Sequence, residues 1–318
     1  MLNLIIYIPL QIVLLPLTII GVVLVGYRQL VVSKKLGISQ TAVEIINGRI
    51  TMDAFGIRDD QPALGLAKQQ ANNSVFGLFL AMLPLWLATK ITGRLSFYPR
   101  VPDAGKETIV DLVPARTLYF DDVINRVIPE VEQFVVMGAG YDTRAYGALK
   151  KLDLVIFEID QPRVQEHKIQ CLTKAAIAFD HVRYVPIDFS EDNLLDTLSE
   201  AGVDWSKKTL FLWEGVTLYL SEADVRKTIS DLRSKVVAGS VLLADIYADS
   251  FLKLGKGAFK KTLEYTNEGF GFGLPFANAH EYALSEFVES TGLTVGQTHF
   301  LGSSSESGPF SVVVEMRY

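Results

Sequence analysis

The sequence holds a single cysteine, Cys171, so no disulfide can close within the chain. That excludes a disulfide-stapled fold and suits a reducing compartment. Histidine is also scarce. The four residues are scattered, and with one cysteine they offer no zinc-ligand spacing. Positive charge is not in excess: Lys and Arg number 30 against 36 Asp and Glu, a net charge of −6. Such a balance argues against a nucleic-acid partner. Internal repeats and low-complexity tracts are missing too. What the chain has in quantity is apolar residues, 49% of 318, with a mean hydropathy of +0.26. That is high for a plain soluble enzyme. The length suffices for one large α/β domain with an appendage, or for two small domains.

Much of the apolar excess sits at the N-terminus. Residues 4–25 carry no charged side chain, and Arg28, Lys34 and Lys35 follow directly. A helix needs ~20 apolar residues to cross a bilayer, and membrane helices tolerate prolines such as Pro9 and Pro16. No basic stretch precedes the run and no small-residue cleavage site ends it, so an uncleaved anchor is expected over residues 1–35. The basic flank would keep the rest of the chain in the cytoplasm. A buried core helix is the alternative. A second apolar run, VFGLFLAMLPLWLA at residues 75–88, is short for a span and contains Pro84. With Trp86 inside it and Lys90 and Arg94 after it, the run reads as lying in the membrane interface or lining an apolar entrance. An ordinary core helix would read the same way. Residues 36–110 then form a helical cap, with a helix from Thr41 and a Pro- and Gly-containing linker over 94–110. Residues 111–318 form the main domain.

The main domain is organised around FVVMGAGYDTRAYGALKKLDLVIFEID, residues 134–160. FVVM is a short buried strand by its apolar, β-branched content. Gly138 and Gly140 allow a sharp turn and close approach of a ligand to the backbone. LDLVIFE is a second strand, and Asp160 stands about 20 positions past Gly140, where an acidic residue can bind ribose hydroxyls. Thr143 occupies the place of the third glycine of a dinucleotide fingerprint. Downstream, VRYVPIDF reads as a third strand ending at Asp188 and Phe189, a carboxylate beside a ring, suited to an adenine. TLFLW is a fourth strand with Glu214 at its carboxyl end, and SVLLADIY a fifth, ending near Asp245. A helix over 281–291 and two strand-like runs, LTVGQTHF and PFSVVVEMRY, close the chain. Ligands bind open α/β sheets at the carboxyl ends of the strands, which is where these acidic residues fall. Arg116, at the start of the helical ARTLYFDDVINRVI, lies near the glycine loop if that helix packs beside the first strand.

The segments ARTLYFDD, VVMGAGYDTRAY, FEIDQP, VPIDF and FLWEGVTLYL resemble, in this order, those of the leucine carboxyl methyltransferase-like family. Its members are S-adenosylmethionine-dependent protein carboxyl methyltransferases and bacterial O-methyltransferases. The resemblance runs from about Gly37 to the C-terminus and is strongest over 115–245. It implies a Rossmann-like, seven-stranded, mostly parallel sheet with a C-terminal antiparallel pair. It further implies that Arg116 pairs with the carboxylate of the cofactor's methionine part. Gly138 and Gly140 would let the backbone approach, Asp160 would hold the ribose, Asp188 and Phe189 the adenine, and Glu214 the sulfonium or amino end. SQTAVEIINGR is similar to the family helix that lies over the cofactor pocket. The two apolar runs are additions to that pattern, and Arg144 replaces a small residue found in some branches.

The expected activity is therefore methyl transfer from S-adenosylmethionine to a carboxyl or hydroxyl oxygen of an apolar small molecule at a membrane. No metal is implied. His280, His181 and Tyr219 are candidate bases, but the sequence places none of them at the methyl group, so no catalytic residue is assigned. Two other classes stay open: a nicotinamide-dependent oxidoreductase using the same loop, and a protein that keeps the cofactor pocket without turnover.

Overall fold

The computed structural model describes residues 2–38, 40–187, 192–255 and 270–318. The chain divides into two compact units. One comprises Met1–Val101, Tyr141–Gly147 and His167–Ala178. The other comprises Pro102–Gly140, Ala148–Glu166 and Phe179–Tyr318.

The first unit is helical. Helix α1 (Leu2–Val13) is followed by α2 (Leu15–Gly26), which runs on through a wide π turn at Tyr27–Val32 into α3 (Ser33–Leu36). The apolar stretch expected as one helix over 4–25 is thus broken at Leu14. Pro16 falls in the first turn of the new helix, where its missing N–H costs nothing, whereas Pro9 and Pro84 are carried inside α1 and α6. Helices α4 (Gln40–Ala54) and α5 (Gln61–Gln69) follow. Then comes α6 (Val75–Thr92), longer than the apolar run that marks it. Ser74 caps its start by accepting from the Gly77 amide at 3.1 Å. Gly93, at φ +66°, ends it in the left-handed region. Helices α2 and α6 meet at two glycines. A Cβ on Gly21 would lie 2.5 Å from the Ala81 amide nitrogen, and one on Gly77 2.9 Å from the Leu24 Cβ. Only glycine lets the two backbones come so close.

The second unit is built on a seven-stranded sheet. Helix α7 (Leu112–Val127) precedes β1 (Gln133–Met137), β2 (Val155–Asp160), β3 (Val182–Pro186), β4 (Thr209–Trp213), β5 (Val241–Tyr247), β6 (Thr294–Leu301) and β7 (Ser311–Arg317). The order is β3-β2-β1-β4-β5-β7-β6. The first five strands are mutually parallel, and β7 runs antiparallel to both β5 and β6. Strands β1, β4 and β5 are buried at every residue, which is why they read as unbroken apolar runs rather than alternating ones. Edge strand β3 is buried only at Val182 and Val185. Phe157, Phe211, Trp213 and Leu242 fill the core against the sheet. The strand order reverses at β1, flanked by β2 on one side and β4 on the other. The chain therefore leaves these strands in opposite directions and opens a crevice at their carboxyl ends. The seven-stranded arrangement expected from the sequence is the one observed. Asp188 and Phe189, expected at the end of the third strand, lie outside the described residues.

Candidate active site

In the second unit, the loop after β1 folds back onto the end of β2. The Gly138 and Ala139 amides both donate to the Ile159 carbonyl at 2.9 Å, and the Gly140 amide donates to Asp160 Oδ2 at 2.5 Å. Asp160 Oδ1 accepts from the Gln161 amide at 2.7 Å, so backbone donors fix this carboxylate on both sides. Gly138 and Gly140 hold φ values of +72° and +45°, where a side chain is strained. At Gly138 space adds to the strain: a Cβ would sit 2.5 Å from Val216 Cγ2, in the segment after β4. The β1 and β4 turns therefore touch, and glycine is required at the contact.

One strand further along, α7 delivers Arg116. Residues 116, 120, 123 and 127 share one face of that helix, and the other three are Phe120, Val123 and Val127, all buried. The guanidinium is carried inward with them and is met by two carboxylates. Its Nη1 lies 2.9 Å from Asp245 Oδ2 and its Nη2 3.4 Å from Glu214 Oε1. Nη1 also donates to the Tyr247 hydroxyl at 2.5 Å, and that hydroxyl donates to Asp245 Oδ2 at 2.8 Å. Asp245 Oδ1 accepts from the Gly215 amide at 2.8 Å. Arg116 Nε is buried with no hydrogen-bond partner. Burial by itself would lower the pKa of Arg116, but Tyr247, Asp245 and Glu214 together override it and raise the value. Burial pushes Asp245 up, against the pull of Arg116, and pushes the Tyr247 phenol well above its usual range. Such a cluster is stable only while its charges stay paired.

In the first unit, residues 141–147 form a second polar cluster. Arg49 of α4, 1% exposed, places Nη2 2.7 Å from Asp142 Oδ2, and Arg144 Nη1 lies 2.5 Å from the same oxygen. Burial would raise the Asp142 pKa, yet Arg144 and Arg49 hold it well below the usual carboxylate range. Thr143, in place of a third glycine, donates through Oγ1 to Asp60 at 2.8 Å. Asp60 also caps α5 and pairs with Arg58.

Of the residues singled out from sequence, Gly138, Gly140 and Asp160 come together in one turn, and Arg116 and Glu214 in the neighbouring cluster. Three polar partners were missed, Tyr247, Arg49 and Asp60, and Asp245 was marked only as a strand end. Asp245 and Tyr247 had a legible signal, because residues two apart in a strand share a face. Arg49 was marked only as the end of the segment resembling the helix over the cofactor pocket, and Asp60 by nothing, since their partners lie 93 and 83 positions away. Of the three candidate bases, His280 packs edge-on against Phe300 with ring centroids 4.6 Å apart, and Tyr219 lies 5.9 Å from the Phe270 ring.

The model of the leucine carboxyl methyltransferase family matches residues 57–233, more than half of the chain and the stretch that holds the loop, Asp160, Arg116 and Glu214. The chain belongs to this family. Among its relatives, YktD of Bacillus subtilis, provisionally named an S-adenosyl-L-methionine-dependent methyltransferase, is 31% identical over 185 residues. These cover 57% of this chain and 60% of that protein. A Mycobacterium ulcerans protein with the same provisional name is 31% identical over 153 residues, 48% of this chain and 50% of that one. The chain thus spans half to three fifths of the length of these curated relatives. A solved structure from Thermobifida fusca, provisionally described as a methyltransferase, matches with a TM-score of 0.50 at 15% identity. The match covers 80% of this chain and 91% of that one, and it shows the fold.

Proposed function

We propose that this family member is an S-adenosylmethionine-dependent O-methyltransferase acting on an apolar small molecule at a membrane. The observation that carries the reading is the Arg116–Asp245–Glu214 cluster beside a two-glycine turn seated on Asp160. Two carboxylates against one guanidinium leave this sheet edge with an excess of negative charge, which favours a bound cation in a site of low dielectric. The residues present fit the cofactor. The turn has room for no Cβ at Gly138, and the strand-tip carboxylates supply acceptors for hydroxyl and ammonium groups.

When bound, S-adenosylmethionine supplies an electrophilic methyl group on a positively charged sulfur. Asp160, held in place by two backbone amides, would take the ribose hydroxyls. Arg116 would hold the carboxylate and Glu214 the amino group of the methionine part. Asp188 and Phe189 keep the adenine role that the resemblance implies. A carboxylate acceptor arrives ionised and needs no base, whereas a hydroxyl acceptor needs one within hydrogen-bond reach. The apolar acceptor and the membrane are supported by the exposed apolar side chains of α1, α2 and α6.

Calorimetric titration of the full chain in detergent with S-adenosylmethionine, and separately with NADH, tests the cofactor. Binding of the first and not the second is expected; the reverse overturns the reading. Incubation with a membrane lipid extract and deuterated-methyl cofactor, followed by mass spectrometry, tests the acceptor. Label on oxygen in an organic-soluble product is expected, and label confined to nitrogen or to water-soluble products contradicts it. Loss of the label in mild alkali marks a carboxyl ester, and resistance marks an ether.

A further inference from the structure

Two helices, Leu15–Leu36 and Val75–Thr92, are long and apolar enough to cross a bilayer by length and composition. Their packing says something different. The Arg28 guanidinium donates to the Ala71 carbonyl at 2.5 Å, and Gly21 meets Gly77 and Ala81, so α2–α3 and α6 run antiparallel. Polar α4 is tied along the same pair. Near its start Glu44 accepts from Gln29 Nε2 at 2.7 Å, and at its end the Ala54 carbonyl accepts from Trp86 Nε1 at 3.2 Å. Trp86 is 11 residues beyond Val75, so α4 accompanies most of the ~27 Å length of α6. Along that length α4 carries Arg49, paired with Asp142, and Asp53, which accepts from the Asp60 amide at 3.0 Å. Arg49 is shielded by the protein, but a bilayer surrounding α6 would have to take the partly exposed Asp53 into its hydrocarbon, at a cost of ~3 kcal/mol or more.

The three helices also leave large apolar side chains uncovered. Phe76 and Phe79 on α6, Ile19 and Val23 on α2, and Ile8 and Ile12 on α1 are 51–67% exposed. The basic residues settle the orientation. Lys34 and Lys35 stand at the α3 end of the pair, and Lys90 and Arg94 at the other. If the pair spanned, one basic group would lie on each side of the membrane, against the positive-inside bias. If it lies flat, both groups reach the same layer of lipid headgroups, and Trp86, with Lys90 Nζ 5.4 Å from its ring, sits at that level too.

We propose that α1, α2 and α6 form a flat platform embedded in one leaflet of a membrane containing anionic lipid, with no segment crossing it. This rests on the reading above that the protein works at a membrane, and replaces the expected spanning anchor with an in-plane one.

The full chain carrying Cys171→Ser, with either Lys35→Cys or Arg94→Cys, separates the possibilities. Both new thiols replace exposed, basic side chains at opposite ends of the pair. Sealed membrane vesicles of expressing cells, in both orientations, are treated with a membrane-impermeant maleimide. Labelling of both positions from the same face, with no gain at either when the vesicles are opened, is expected. Labelling from opposite faces overturns the in-plane arrangement and leaves membrane association standing. Recovery of the unmodified chain in the soluble fraction after lysis removes the membrane reading itself.

Discussion

Glycine is used in two ways, and Gly21 and Gly138 show the contrast. Gly21 lies within a helix and has no side chain because another helix backbone must pass within van der Waals reach. Gly138 lacks one because its φ is +72° and because Val216 occupies the space. Around Gly21 the surroundings are apolar and exposed. Near Gly138, at the sheet edge, charges are buried and paired. The first region depends on shape and on what it leaves uncovered. The second depends on every charge having a partner. The two should therefore fail differently when disturbed.

The largest effect is expected at the paired charges. Arg116→Ala leaves Asp245 buried without its counter-charge, and should cost ~3–5 kcal/mol in urea unfolding. A loss within the range of ordinary surface substitutions would mean that the cluster opens to water. The Asp142 cluster gives a pH signature. Its folded-state pKa is depressed, so the stability it contributes is present above the unfolded value of ~3.9 and is lost as pH falls through the folded value. Asp142→Asn should be less stable at neutral pH and lose less on acidification than the unmodified chain. Parallel acid-unfolding curves for the two proteins would contradict this.

Smaller effects test the glycines themselves. Gly21→Ala and Gly138→Ala should each destabilise by ~1–3 kcal/mol, the first by overpacking and the second by backbone strain as well. Only Gly138→Ala should also weaken S-adenosylhomocysteine binding in calorimetry. If Gly21→Ala weakens it equally, the contrast drawn above does not hold. Gly26 has nothing within 4 Å of a built Cβ, and its φ of −59° is helical. Gly26→Ala should therefore stabilise, by ~0.5–1 kcal/mol in a thermal melt in detergent.

Which parts were legible in the sequence follows from the same contrast. The central strands were, because a strand buried on both faces writes itself as an apolar run ended by a turn residue: FVVM by Gly138, TLFLW by Glu214 and Gly215. The antiparallel close was visible in the two final strand-like runs. Helix α6 was visible in type but not in extent, because Thr89, Lys90 and Thr92 continue it without being apolar. The break at Leu14 was foreshadowed by Pro16, yet hydropathy alone runs straight through it. The charged clusters were only half legible. Strand-end position marks Asp160 and Glu214, but nothing local couples Arg116 to Asp245, 129 positions away, or Arg49 to Asp142. Those pairs exist only once the sheet and the helices have been assembled.

The most direct test of the sheet edge as a cofactor site is the affinity of Asp160→Asn for S-adenosylhomocysteine, read by calorimetry beside the unmodified chain. This variant keeps an acceptor for the Gly140 amide and removes the charge. It also gives up the bond from the Gln161 amide, so a slightly lower unfolding midpoint is expected, with binding ~10- to 100-fold weaker from the loss of charge-assisted hydrogen bonds. Equal affinity in the two proteins would contradict the assignment of Asp160 and, with it, the reading of this crevice as the place where the adenosyl group is held.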